Sequence, residues 1–405
     1  MKLIYIANAR IPTEKAHGIQ IFQMLLAFVK SEIRNPKSEI NFDPAGHHPK
    51  GDKSQISNNK LDVELVIPSR FNKIKTDPFE YYGIEKVFEI IRLPCIDLIP
   101  FRLFLGNLAL WIETVSFLLC FKICFLFKKY DILYTREEFV GLFFKNFILE
   151  IHSLPKKIKF FHIKNWQRAK FLIVLTSFIK NKLVEAGISE DKILVAPDGV
   201  NLEDFDIDIS KDEARKKLNL PQDKILIGYV GMLRTLGMEK GIDTAVKSLK
   251  FLADNILLVL VGGCEKDIKF YLNLAKNLDL ENRVIFVGRV AHKEIPFYLK
   301  AFDILIAPFP ENEHYKFYMS PLKIFEYMAA ERPILVSDLP SIREVLDENG
   351  AFLFRPGDEF VLARNVKEIL NNYASAMGKS RNAREKVNKF IWDKRAGNII
   401  NFIQV

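Results

Sequence analysis

The chain has 405 residues, 49% of them hydrophobic, and a formal net charge of +9. That apolar content fills two or three domain cores and excludes disorder as the main state, and the positive balance selects anionic partners such as nucleotides or anionic lipid surfaces. The charge alone would permit nucleic acid, but no recognition motif supports it, and the four cysteines (Cys95, Cys120, Cys124 and Cys264) lack paired metal-ligand spacing, which fits a reducing cytoplasm.

The opening run Lys2 to Ala7 is too short for a signal peptide and reads as a continuously apolar strand, the kind found in parallel sheets covered on both faces. Asn8 to Gly18 is a loop and Ile19 to Val29 has helical periodicity, giving the strand–loop–helix order that faces phosphates in α/β sheets. His17 and Gly18 either face a ligand there or form a plain turn. Residues 35–60 are polar and Pro-bearing and read as a mobile surface loop, whose His47-His48 pair is read as solvated. Leu61 to Pro68 is a second strand, and Phe71 to Ile91 is ambiguous. Asn107 to Phe127 nearly reaches bilayer-spanning length, yet Glu113 and Lys122 interrupt it. It is read as a buried or membrane-surface helix, and the lysines around it, with Phe117, Phe121, Phe125 and Phe127, either dock on anionic lipid or form an ordinary basic surface over an aromatic core. Leu149 to His152 ends another short strand, so His152 sits where a strand exits towards a cleft: a donor to a sugar hydroxyl or phosphate, or a loop histidine. Further strands follow at Phe171 to Leu175 and Lys192 to Ala196, with a helix at Phe178 to Ala186 between them and the turn Pro197-Asp198-Gly199-Val200 after.

The pattern then restarts. The sequence places an N-terminal domain at 1–205, a second at 206–380, and a C-terminal helix at 381–405 that packs back on the first. In the second domain, strands at Lys224 to Val230, Ile256 to Val261, Val284 to Val287, Asp303 to Pro308 and Pro333 to Ser337 end in Gly, Pro or Ser loops whose carboxyl ends line one cleft. Phe309 to Met319 is a long loop. In the helix that follows, Ser320 suits the N-cap and Pro321 the first helical position. The first turn then aims free N–H groups and the positive dipole end outward, an anion site to which Lys323 adds a cation. Glu326 shares that helix face, roughly 9 Å along the axis from Ser320, about the span from a diphosphate to a ribose.

Four stretches, in order along the chain, resemble glycosyltransferase family 4, the retaining family with the GT-B fold. They are Ile4 to Gln23 with His17-Gly18, Val195 to Asn201, Gly228 to Arg234 with Lys240-Gly241, and Ser320 to Ala330 with Arg332 to Val336. The resemblance implies two Rossmann-like domains facing a central cleft, with the nucleotide sugar mainly on the C-terminal one and the acceptor on the N-terminal one. It implies that Arg234 and Lys240 hold the donor diphosphate, where charge builds as the nucleoside diphosphate leaves, and that these cations make a divalent metal and any cofactor unnecessary. Gly231, Ser320, Pro321, Leu322 and Lys323 would meet the same diphosphate. Glu326 matches the second glutamate of the family's Glu–seven residues–Glu motif and would hold the ribose. His152 looks like the family's histidine near the anomeric centre, Gly18 like the loop glycine that lets the first helix approach the phosphate, and Arg289 sits where the base is read. The motif's first glutamate is replaced by Tyr318, with Glu311 and Glu313 upstream.

The implied activity is hexosyl transfer with retention, from a nucleoside-diphosphate sugar to a glycan or lipid-linked acceptor in surface-polysaccharide synthesis, by an enzyme that is cytoplasmic or peripheral at the inner membrane face. A nucleotide-sugar epimerase of the same architecture and a non-catalytic nucleotide-sugar-binding protein are the competing readings.

Overall fold

A computed structural model of the chain describes residues 1–31, 61–235 and 238–404. The loop read at 35–60, with His47 and His48, lies outside the described residues. Two compact units emerge: residues 1–150, 159–173 and 396–405 form one, and residues 151–158 and 174–395 the other.

In the first unit, strands β1 (Lys2–Ile6), β2 (Asp62–Pro68), β3 (Glu89–Leu93), β4 (Ile132–Thr135), β5 (Ile148–Ile151) and β6 (Phe171–Val174) run in the order β3-β2-β1-β4-β5-β6. The pairs of β1 with β2 and β4, of β2 with β3, and of β4 with β5 are parallel. Leu3, Ile4, Tyr5 and Ile6 are all buried, as a strand covered on both faces requires. The first helix spans Ala16–Lys30, starting earlier than its apolar periodicity announced. The ambiguous stretch before Ile91 resolves into a short helix, Pro78–Tyr82, capped by the Asp77 carboxylate, and the edge strand β3.

The second unit opens with β7 (Ile193–Val195) and continues with β8 (Ile225–Val230), β9 (Arg234–Thr235), β10 (Met238–Glu239), β11 (Ile256–Val261), β12 (Val284–Gly288), β13 (Ile304–Ala307), β14 (Ile334–Ser337) and β15 (Phe352–Phe354). Six of these make a parallel sheet ordered β12-β11-β8-β13-β14-β15. Along β8 the side chains alternate between two cores: Leu226 and Val230 join one, Ile227 and Tyr229 the other. Each fully buried aliphatic side chain in such cores contributes about 1.5–3 kcal/mol. A buried ion pair fastens one face. Arg215 donates to Asp303 Oδ2 at 2.6 Å, and its other nitrogens donate to the carbonyls of Ala301, Gln222 and Lys224.

Across β1 to β6 of the first sheet and the six strands of the second, the chain order is 3-2-1-4-5-6, the doubly wound arrangement whose switch point lies beside the first strand. The single helix read over 381–405 is corrected: helices Tyr373–Lys386 and Trp392–Ile403 are separated at Phe390 and Ile391. There the backbone leaves helical geometry to pair with Val200, whose N–H donates to the Phe390 carbonyl at 3.0 Å.

Candidate functional site: a cationic crevice at the second switch point

β8 occupies the switch point of the second sheet: strands that follow it in sequence are laid down first on its β11 side and then on its β13 side, which leaves a crevice at its carboxyl end. The residue after β8 is Gly231, at φ +128, where a side chain is strained. A Cβ there would also come within 3.1 Å of the Lys323 ammonium. The missing side chain leaves room for that ammonium at the strand's end. Lys323 lies in the first turn of the helix Leu322–Ala329, 8% exposed, with its Nζ buried and lacking a hydrogen-bond partner. The nitrogen stands 3.6 Å from the centroid of the Tyr229 ring and 5.5 Å from that of Phe309. Such a desolvated cation–π contact is worth about 2 kcal/mol, against several for burying an unpaired ion. Burial drives the Lys323 pKa well below 10.5, Lys240 pushes the same way, and Glu326 opposes them. The arrangement is a cation short of an anion.

A hairpin unseen in the sequence supplies two more cations. β9 and β10 pair antiparallel with Glu239 opposite Arg234, and the Arg234 Nη2 lies 3.8 Å from the Glu239 carboxylate. The guanidinium stands 4.8 Å from the Phe270 ring centroid, and its Nε is buried without a hydrogen-bond partner. Lys240 follows at once, and burial lowers its pKa to about 8. Gly241, at φ +75, then starts the helix Ile242–Ser248 against the Pro308 carbonyl, which a Cβ would strike at 1.6 Å.

The start of the lysine-bearing helix corrects the sequence reading. Pro321 occupies the cap position and the helix begins at Leu322. The Ser320 hydroxyl does not cap it, because it accepts the Asp198 backbone N–H at 2.9 Å. The first-turn N–H groups of Leu322 and Lys323 keep the orientation expected of an anion site. Tyr327 fixes the helix against the sheet: its hydroxyl accepts the Val230 N–H at 2.9 Å and donates to the Ile306 carbonyl at 3.2 Å. Glu326, one helical turn beyond Lys323, faces His292 Nε2 at 3.4 Å. Burial pulls the His292 pKa down, but the carboxylates of Glu326 and Asp204 outweigh it and the net shift is upward. Arg289 follows β12 and donates from Nε to the Gly263 carbonyl at 3.3 Å.

Tyr318 ends a π-helical turn, His314–Tyr318, within the stretch read as loop. Its hydroxyl donates to Glu313 Oε1 at 2.9 Å, and burial together with that carboxylate raises its pKa to about 12. Glu311 is held by Lys316 at 2.6 Å. The carboxylate beside the motif position is therefore that of Glu313.

The structure gathers Gly231, Lys240, Leu322, Lys323 and Glu326 at the switch point, with Arg234 on the hairpin just before Lys240. His152, half-buried, directly follows β5 and belongs with the second unit. Gly18 belongs to the first unit. It stands inside the helix Ala16–Lys30 rather than in the preceding loop, and a Cβ there would meet the Tyr82 hydroxyl at 2.1 Å. Its neighbour His17 is pushed down to about 4 by burial, with Arg136 adding to the effect. The residues that sequence reasoning missed are Tyr229, Phe270, His292 and Tyr327, side chains that position others; no spacing in the sequence joins His292 to Glu326. Among the described residues no three His, Cys, Asp or Glu side chains are grouped as metal ligands.

Residues 210–387 match the family model described as glycosyl transferases group 1. A glycosyltransferase of Methanocaldococcus jannaschii is 27% identical over 225 residues, covering 53% of this chain and 55% of the relative. The O-antigen chain mannosyltransferase of Salmonella typhimurium is 24% identical over 321 residues, covering 76% and 82%. Apart from that mannosyltransferase, the first curated relatives are matched over about half of their length. The HepE protein of Anabaena, solved with UDP and glucose, aligns at a TM-score of 0.69 with 15% identity over 99% of this chain and 98% of that one. At that identity the likeness speaks for the fold, which is GT-B.

Proposed function

With residues 210–387 belonging to the glycosyl transferases group 1 family, we propose that the protein is a retaining glycosyltransferase. It moves a sugar from a nucleoside-diphosphate sugar to a glycan or lipid-linked acceptor in polysaccharide synthesis. The observation that carries the reading is the buried Lys323 ammonium, unpartnered beside Gly231 at the end of β8. The donor diphosphate supplies its missing anion.

Arg234 and Lys240 take the remaining phosphate oxygens, and the first-turn N–H groups of Leu322 and Lys323 add backbone donors. These groups hold the negative charge that grows on the diphosphate as it leaves, the term that dominates such reactions. With this much fixed positive charge, transfer proceeds without a divalent metal. Glu326 accepts the ribose hydroxyls, oriented by His292, and Arg289 lies against the base. Glu313, steadied by the Tyr318 hydroxyl, takes the donor sugar's hydroxyls in place of the absent motif glutamate. His152 stands near the anomeric carbon. In the transfer the bond from that carbon to the diphosphate oxygen breaks. The acceptor oxygen bonds to the same face, and its proton passes to the departing phosphate. UDP is the first nucleotide to try, since HepE was solved with it.

The test is a thermal-shift panel with UDP, GDP, ADP, CMP and TDP, each with and without chelator, followed by turnover of the matching nucleotide sugars. A ligand at about 100 times its Kd adds about 2.7 kcal/mol. The expected result is a shift with one nucleoside diphosphate, indifferent to chelator and lost in Arg234→Ala and Glu326→Ala. Absence of any shift refutes the donor site, and turnover of the sugar nucleotide without acceptor or hydrolysis indicates an epimerase.

A further inference from the structure

The first unit carries an unpartnered apolar edge that the proposed transfer reaction does not use. The helix Asn107–Cys124 is long and apolar enough to cross a membrane, yet only 33% of it is buried within the protein. Its buried stripe holds Ala109, Glu113, Thr114, Phe117, Leu118 and Phe121. The opposite stripe, Leu108, Trp111, Leu119 and Ile123, is exposed and follows the three-to-four residue spacing of one helix face. Phe104, just before the helix, is 88% exposed, and Phe127, just after it, 93%. At 1.5 Å per residue the apolar line is about 27 Å long.

Two further observations decide what covers it. The helix cannot leave the domain to span a bilayer, because Glu113 is 0% exposed and tied to the loops after β1 and β2: Arg70 Nε donates to it at 2.7 Å and Asn8 Nδ2 at 3.0 Å. Pulling that carboxylate into lipid would break a buried ion pair and leave both charges unpaired. The charge around the stripe is also of one sign. Between Arg102 and Lys129 the only carboxylate is the buried Glu113, while Arg102, Lys122, Lys128 and Lys129 are exposed. The exposed Lys128 holds its ammonium 4.7 Å from the Phe125 ring centroid, beside the apolar tips. Protruding aromatic and aliphatic tips flanked by cations suit the interfacial zone of an anionic bilayer, where the helix lies in the membrane plane.

We propose that this edge, from Phe101 to Lys129, docks the protein onto anionic phospholipid in an interfacial mode, with Phe104, Trp111, Ile123 and Phe127 inserted and Lys122, Lys128 and Lys129 at the headgroups. The proposal does not depend on the nucleotide site.

The test uses the full chain in flotation with vesicles of phosphatidylcholine alone and of phosphatidylcholine with phosphatidylglycerol. Binding is expected only to the anionic vesicles and weakens with added salt. Trp111 fluorescence shifts to the blue and is quenched by brominated lipid, and Trp111→Phe removes that signal. Each of Lys122→Gln, Lys128→Gln and Lys129→Gln lowers partitioning about fivefold. The double change Phe104→Ser with Phe127→Ser abolishes it while leaving the thermal transition in place, since both side chains are exposed. The proposal is overturned if the chain ignores anionic vesicles, or if it binds them with Trp111 unquenched. It is also overturned if the serine variant instead converts a dimer to a monomer by light scattering, or if membrane-bound protein resists both high salt and alkaline carbonate, the mark of a spanning helix.

Discussion

Replacing Lys323 with methionine is expected to move stability and affinity in opposite directions. Methionine follows the side chain to all but its last atom and stays apolar beside Tyr229 and Phe309, but removes an ammonium that has no hydrogen-bond partner. Exchanging buried charge for a well-packed apolar group is neutral or stabilising by about 1–4 kcal/mol. The unliganded variant should therefore unfold at equal or higher urea. Bound diphosphate loses a charge-assisted contact worth about 1.5–3 kcal/mol, so its Kd should rise about tenfold to 150-fold. The pH dependence gives a separate signature. Because burial holds the native-state pKa of Lys323 below 10.5, the unfolded chain keeps a proton that the native chain releases. Unliganded wild type should then gain stability with rising pH up to about 10.5, by at most about 1.4 kcal/mol per unit for this group. In Lys323→Met that component disappears. The assays are urea denaturation across pH and calorimetric titration with the nucleoside diphosphate selected by the thermal-shift panel. A variant that is less stable without ligand, yet binds it with unchanged Kd, would refute the account of Lys323 as a cation awaiting phosphate.

Two other substitutions test the parts around it. His292 has a raised native pKa, so its pairing with Glu326 and Asp204 stabilises fully below pH 6.5 and is lost as pH climbs through the raised value. His292→Gln should flatten that decline in urea denaturation above about pH 6.5 and weaken nucleotide binding by a few-fold, because Glu326 is no longer held. Arg215→Ala leaves the 9%-exposed Asp303 side chain without its closest cation and should cost about 3–5 kcal/mol in denaturant unfolding.

The sheets were legible because their strands are buried on both faces, and runs such as Ile256 to Val261 leave little other reading. The same logic fails at β3, an edge strand whose Glu89 and Arg92 are exposed, so its run is broken by charge. It fails again at the β9–β10 hairpin, whose strands are two residues each, too short for any periodicity. In the site, Lys323 and Glu326 were legible from helical spacing, and Arg234, Lys240 and Gly231 from resemblance. The cap was misread because local preference favours serine at that position, whereas Ser320 is claimed by Asp198, 122 residues away in sequence. His292 was invisible for the same reason, as its partner lies on another element.

The Ser320 contact also bears on which substitutions the chain can absorb. The turn from Ala196 to Val200 is gripped on several sides. Ser320 receives its Asp198 N–H, the Phe390 carbonyl receives the Val200 N–H, and Arg395 Nε donates to the carbonyls of Ala196 and Pro197 at 3.2 and 3.0 Å. On the turn's side every one of these bonds is made by backbone, which is the same whatever side chain it bears. The hydrogen bonds therefore place no demand on the turn's own side chains, and the demand that remains is one of space, since Ala196, Asp198 and Val200 are buried. Gly199 is constrained most tightly, because a Cβ there would come within 3.0 Å of the Phe390 carbonyl oxygen, and Ser320 and Arg395 are the two side chains that reach in. A random-substitution library screened for folded protein should accept change most readily at half-buried Pro197, accept only small apolar exchanges at Ala196 and Val200, and refuse change at Gly199, Ser320 and Arg395, two of them far from the turn in sequence.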